Sequence, residues 1–246
     1  MSRRYVKLTI QYDGTNYHGW QVQSGKRTIQ QELNHAVSTL IGLKVTVHGA
    51  SRTDAGVSAL GQAALIDINS PIPTQNLARA INGKLPKDIV VTEAVEVPIG
   101  FDIIGGAKSK LYRYSICTSR SRPVMDIKHC WHIPHDLNID DMNAAAARLV
   151  GTKDFRSFAA ADDKRTSSVR TVSMCDVTRD GDRIHIEVEG DGFLYNMVRN
   201  IVGTLVEVGI GRWPPEKIDL ILQAKDRRAA GPIAPPGGLC LMRIEY

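Results

Sequence analysis

The chain has 246 residues, 43% of them hydrophobic, and a formal net charge of +5. That apolar share is enough for a packed core, yet no apolar run approaches the ~20 residues of a membrane-crossing helix, so a spanning segment is excluded. Four cysteines (Cys117, Cys130, Cys175 and Cys240), scattered without a CxxC pair, suggest reduced, buried thiols in a cytoplasmic protein, while the basic balance favours a polyanionic partner.

The start, "MSRRYVKLTIQY", alternates Val6, Leu8 and Ile10 with Lys7, Thr9 and Gln11, which predicts a strand and not a signal peptide. Thr28 and Gln31 form a capping-box pair ahead of a helix with Ile29, Leu33, Ala36, Val37, Leu40 and Ile41 at helical spacing, ended by Gly42. "LKVTVHGA" (43–50) and "ALGQAALIDI" (59–68) read as strands. "PTQNLARAINGKL" reads as a short helix and "IVVTEAVEV" as a closing strand.

The second half repeats this order. "SKLYRYSICT" predicts a strand, and "NIDDMNAAAARLVG" a helix ending at Gly151. "RTVSMCDVTRD" and "RIHIEVEGD" predict a hairpin about Asp180-Gly181. "FLYNMVRNIVGTLVEVG" predicts a helix with Asp191 as its cap, followed by a short helix from Pro214 to Gln223 and a last strand, "GGLCLMRIEY". Two runs of strand-helix-strand-strand-helix-strand imply an α+β chain of two ferredoxin-like (βαββαβ) halves, 1–105 and 106–246, joined near Gly105-Gly106. A cleft between two such halves is a favoured ligand site.

Three motifs compete for chemistry. "HCWHIPH" supplies His129, Cys130, His132 and His135, all metal-ligand types, but no CxxC or HxxxH elsewhere completes a site, so a strand ended by Pro134 is the better reading. "GIGRW" follows a helix instead of a strand and lacks the third glycine of a dinucleotide loop. The aromatic signature of RNA-recognition motifs is absent. The third motif, "GASRTDAG" (49–56), is a turn by composition. It also holds Ser51, Arg52, Thr53 and Asp54 together, more chemistry than a turn needs. A guanidinium nearby would keep Asp54 ionised and usable as a nucleophile.

"ASRTDAGVSALGQ" resembles the catalytic motif of TruA-type tRNA pseudouridine synthases. Four further blocks resemble the same family in the same order: "YDGTNYHGWQ" (12–21), "KSKLYRY" (108–114), "FLYNMVRNIVG" (193–203) and "GPIAPPGGLCL" (231–241). The resemblance implies two ferredoxin-like domains with a positively charged cleft, a homodimer acting on the tRNA anticodon stem-loop at positions 38–40, and a reaction with no cofactor and no metal. It makes Asp54 the nucleophile and Tyr112 the ring that stacks on the target uracil. Arg199 becomes the partner of the catalytic carboxylate, and Arg52 the residue that manages the flipped base. Ser51 and "VSALGQ" depart from common family spellings at positions without a chemical role. Cys240 and Met242 stand where relatives often carry aromatics, which concerns packing. Phosphate contacts are expected from among Arg3, Arg4, Lys26, Arg27, Arg79, Lys84, Lys108, Lys110, Lys164, Arg165 and Arg170.

Overall fold

A computed structural model describes residues 3–163 and 165–246. Lys164, one of the expected phosphate contacts, lies outside the described residues. The chain is mixed α+β and forms two compact units. One comprises Met1–Lys108 with Cys240–Tyr246, the other Ser109–Leu239.

In the first unit β1 (Arg4–Tyr12) runs antiparallel to both β3 (Ser58–Ile68) and β4 (Ile89–Val97). Val6, Leu8 and Ile10 are fully buried on one face, as their alternation requires. The two-residue β2 (His48–Gly49) pairs with β3, giving the order β4-β1-β3-β2. The closing strand β10 (Leu239–Glu245) runs parallel to the start of β3, with Cys240 opposite Ser58 and Leu241 opposite Ala59. Helix α1 (Ile29–Ile41) begins where the capping box predicts, with the Thr28 side chain accepting the Gln31 N–H, and ends at Gly42 with φ 77°. Helix α2 (Thr74–Asn82) buries Leu77 and Ile81.

The expected strand over 43–50 is the largest departure in this unit. Only His48 and Gly49 join a ladder. Helix α1 takes the backbone groups that a longer strand would have paired: Ser38 Oγ accepts the Val45 N–H (2.9 Å), Asn34 Oδ1 accepts the Val47 N–H (2.7 Å), and Gln30 Nε2 donates to the Val47 carbonyl (2.8 Å).

In the second unit β5 (Ser109–Cys117), β9 (Arg183–Gly190), β8 (Val169–Asp180) and β7 (Gly151–Asp154) follow one another as antiparallel neighbours. A short β6 (Trp131–His132) pairs parallel to β5. The hairpin between β8 and β9 turns at Gly181, as its Asp-Gly pair predicts. Helix α3 (Ile139–Ala147) stops four residues before the expected Gly151, which instead opens β7, a polar strand too short to register by alternation. Helix α5 spans Lys217–Ala224, beyond the two prolines that precede it.

Helix α4 (Met197–Gly209) starts four residues later than predicted and without Asp191 as its cap. Asn196 sits at φ 62°, a left-handed conformation that cannot belong to a right-handed helix. Asp191 pairs elsewhere: its Oδ1 accepts the Thr171 N–H at 3.0 Å.

Beyond Val172, β8 has no β7 residue beside it. There Asn143 of α3 closes the strand, donating to the Val177 carbonyl and accepting the Val177 N–H, at 2.8 and 2.9 Å. Asn143→Ala removes both bonds and leaves two backbone groups short of partners. A loss of about 2–3 kcal/mol is expected, read from the midpoint of urea unfolding.

Candidate active site

The loop from Ala50 to Gly56 is held from beneath. Gln62 of β3, fully buried, acts on it as a neighbouring peptide would: Nε2 donates to the Ser51 carbonyl (2.7 Å) and Oε1 accepts the Ser51 N–H (3.2 Å). The same Nε2 reaches the Tyr12 hydroxyl at 3.4 Å, and that hydroxyl lies 2.8 Å from Thr53 Oγ1. Thr53 is buried, and its carbonyl accepts the Trp20 N–H at 3.0 Å. The Gly56 N–H donates to the Tyr17 carbonyl (3.2 Å) and the Val57 N–H to the Asp54 carbonyl (3.1 Å), which closes a tight turn.

The block 12–21 is the cradle for this turn. Gly19 has φ 84°, and a Cβ there would stand 2.6 Å from the Thr53 carbonyl oxygen, so no other residue fits without moving the loop. Trp20 is buried against the tilted ring of Tyr12, with centroids 6.2 Å apart. Tyr17 donates its hydroxyl to Asp88 at 2.6 Å, and Arg27 lies over the same ring at 4.4 Å. Burial, and then the Asp88 hydrogen bond, push that phenol well above its usual range. With Thr53 anchored inward, Asp54 is half-buried and Arg52 exposed.

In the second unit, Tyr112 and Tyr114 share a face of β5, as alternation predicts, and both are buried. Tyr112 meets Phe193 edge-on, with centroids 5.4 Å apart. Tyr114 donates to the Pro235 carbonyl (2.8 Å) and meets Trp131 edge-on. Burial holds its phenol far above the ordinary range, with the Arg199 guanidinium opposing the shift.

Arg199 is half-buried in the first turn of α4, where the helix dipole disfavours a cation. Its position comes from the segment 231–235. Nε donates to the Ala234 carbonyl (2.8 Å), the Ala234 N–H returns a bond to the Arg199 carbonyl (3.2 Å), and Nη1 donates to Asn196 Oδ1 (3.1 Å). The "GPIAPPGG" block therefore braces the arginine helix.

The expected phosphate contacts divide. Arg3 is paired with Asp67 and Arg4 with Glu96, and Arg4 also reaches the Ser70 and Ile72 carbonyls. Arg27 is taken up by Glu32, while Arg165 pairs with Asp163 through Nη1 and keeps its guanidinium half exposed. Lys110 is half-buried, and burial followed by the charge of Arg165 lowers its pKa. In "HCWHIPH", the Cys130 thiol donates to the Asp126 carbonyl and His132 Nε2 lies 2.8 Å from the Ser119 carbonyl oxygen. Among the described residues no group of three or more His, Cys, Asp or Glu side chains is arranged to hold a metal ion.

Gln62, Tyr12 and Thr53 are the supports that motif reading passed over. Their signal was a lone glutamine in the apolar run of β3, facing the same way as Ala64 and Ile66.

A family model described as "tRNA pseudouridine synthase" matches residues 8–104 and 145–246. Proteins named tRNA pseudouridine synthase A resemble the chain along its length. One from Thermoanaerobacter sp. is 45% identical over 99% of this chain and 100% of its own. One from Acetivibrio thermocellus is 44% identical and one from Geotalea uraniireducens 43%, with the same coverage.

Proposed function

This chain belongs to the tRNA pseudouridine synthase family, whose reaction isomerises uridine to pseudouridine in tRNA, and we propose that its targets are positions 38–40 of the anticodon stem-loop, with Asp54 as the reacting carboxylate. The observation that carries the assignment to Asp54 is the clamped turn. Thr53 is anchored inward by Tyr12 and Trp20, and the next residue carries a carboxylate on a backbone that cannot relax. A fixed reacting group contributes by orientation, which flexible loops forfeit.

The reaction breaks the N1–C1′ bond, turns the detached uracil and rejoins it through C5, so no second substrate is needed. Asp54 acts as nucleophile, or as base on an elimination route. Tyr112 stacks on the base, a contact worth about 1–3 kcal/mol. Arg199 is the cationic partner of the carboxylate. Unstacking the uridine costs a few kcal/mol, and Arg52, exposed on the Asp54 loop, manages the vacated stack or its phosphate.

The first unit is read as a ferredoxin-like half, supported by its βαββαβ order and the strand order β4-β1-β3-β2. A second such half over 106–246 is proposed with it. A homodimer follows from the family resemblance alone. A cytoplasmic setting is supported by four free cysteines. Among the described residues no helix is long and apolar enough to cross a membrane.

The test is to map pseudouridine in tRNA transcripts treated with the protein. Modification at one or more of positions 38–40 is expected. Modification confined to other positions would overturn the site assignment, and unmodified RNA the reaction.

A further inference from the structure

One exposed aromatic residue of the second unit stands in the chain between Phe193, which packs on Tyr112, and the helix that carries Arg199. Tyr195 is 47% exposed, although Leu194 and Met197 beside it are buried. Its backbone is nonetheless fixed. The Tyr195 N–H donates to Asp163 Oδ2 at 2.9 Å, and its carbonyl accepts the Ala160 N–H at 2.9 Å.

The same Asp163 Oδ2 accepts Arg165 Nη1 at 2.9 Å, while Oδ1 accepts the Arg165 N–H at 3.0 Å. The Asp163 carboxylate is 4% exposed and the Arg165 guanidinium 49%. Burial alone would raise that carboxyl, but the N–H groups of Arg165 and Tyr195, with the charges of Arg165 and Arg156, together outweigh it and hold it below its ordinary range. One buried carboxylate oxygen therefore ties the backbone that carries an exposed ring to an exposed guanidinium.

We propose that Tyr195 and Arg165 form a subsite for an unpaired RNA nucleotide next to the target uridine, its base stacked on Tyr195 and its phosphate on Arg165. Three observations favour RNA as the occupant. Ring and guanidinium are the pair that single-stranded nucleic acid uses, a stacking platform beside a cation. Arg165 also acts on Lys110, whose pKa is lowered by burial and then by the Arg165 charge, so two cations share one neighbourhood. Finally, the chain neighbours of Tyr195 touch residues of the proposed site: Phe193, two residues earlier, packs on Tyr112, and Asn196, the next residue, accepts from Arg199. The proposal rests on the tRNA-modifying reading above.

The test measures binding of a tRNA transcript and of an isolated anticodon stem-loop RNA to full-length protein. Tyr195→Ala should weaken both by about 5- to 100-fold, and Tyr195→Phe, which keeps the ring, should bind like wild type. Arg165→Ala should weaken binding and lower the slope of log K against log salt by about 1. An unchanged thermal unfolding midpoint identifies each variant as folded. Tyr195→Ala with wild-type affinity would overturn the subsite, as would wild-type affinity with a changed oligomeric state, which assigns the ring to contact between copies. Wild-type protein that neither binds nor modifies tRNA would sink the tRNA-modifying reading itself.

Discussion

Asp54→Ala protein is expected to bind tRNA as wild type does and to form no pseudouridine. Single-turnover nucleoside analysis should register a fall in rate of at least about 10⁴-fold, the range lost when a reacting nucleophile or positioned proton-transfer group is removed. The contrast between binding and rate carries the information. Asp54 is half-buried in a turn that backbone groups and neighbouring side chains support: Gln62 on Ser51, Tyr12 on Thr53, Tyr17 on Gly56. Truncating Asp54 removes none of these bonds. A loss of rate accompanied by an equal loss of affinity would mean that the residue shapes the loop instead of reacting.

The second large effect is expected at Gly203, in the middle of α4. On propensity alone Gly→Ala in a helix should stabilise by about 0.5–1 kcal/mol. Space reverses the sign. A Cβ at Gly203 would stand 1.7 Å from the Pro232 carbonyl oxygen, a backbone atom that cannot swing aside. Overpacking of that kind costs about 3 kcal/mol or more, which corresponds to a drop of roughly 6–12 °C in the unfolding midpoint for a chain of this size. The shift of 231–235 would also pull away Ala234, which Arg199 binds in both directions. Gly203→Ala should therefore lose activity beyond what unfolding explains, measured well below its melting temperature. Gly83→Ala is the control. That residue has right-handed geometry at the end of α2, and the nearest atom to a new Cβ is 3.5 Å away, so no loss is expected.

Much of the fold was legible because burial dictates period. β1 and α1 carry their apolar residues at strand and helical spacing, and the β8–β9 hairpin announces its own turn. Two of the departures share a cause: side chains capture backbone groups that regular structure would have used. Ser38, Asn34 and Gln30 shorten β2 in this way, and Asp163 with the left-handed Asn196 delays α4. No local pattern predicts such captures, because the partners lie 7 to 32 residues apart.

The candidate site divides similarly. Asp54 and Arg52 stood out by composition, and Tyr112 and Arg199 entered through resemblance. The reason "YDGTNYHGWQ" accompanies "RTDAG" emerged only from contacts, with Gly19 and Trp20 against Thr53 across more than thirty residues of chain. Likewise the orientation of Arg199 depends on the Ala234 carbonyl, 35 residues away.

The most direct measurement is tritium release from tRNA labelled at uridine C5, since forming the new carbon–carbon bond expels that hydrogen. Wild-type protein with tRNA alone should release one tritium for each pseudouridine formed, and Asp54→Ala none. Release by Asp54→Ala at the wild-type rate, or none from wild type on tRNA that it binds, would contradict the account.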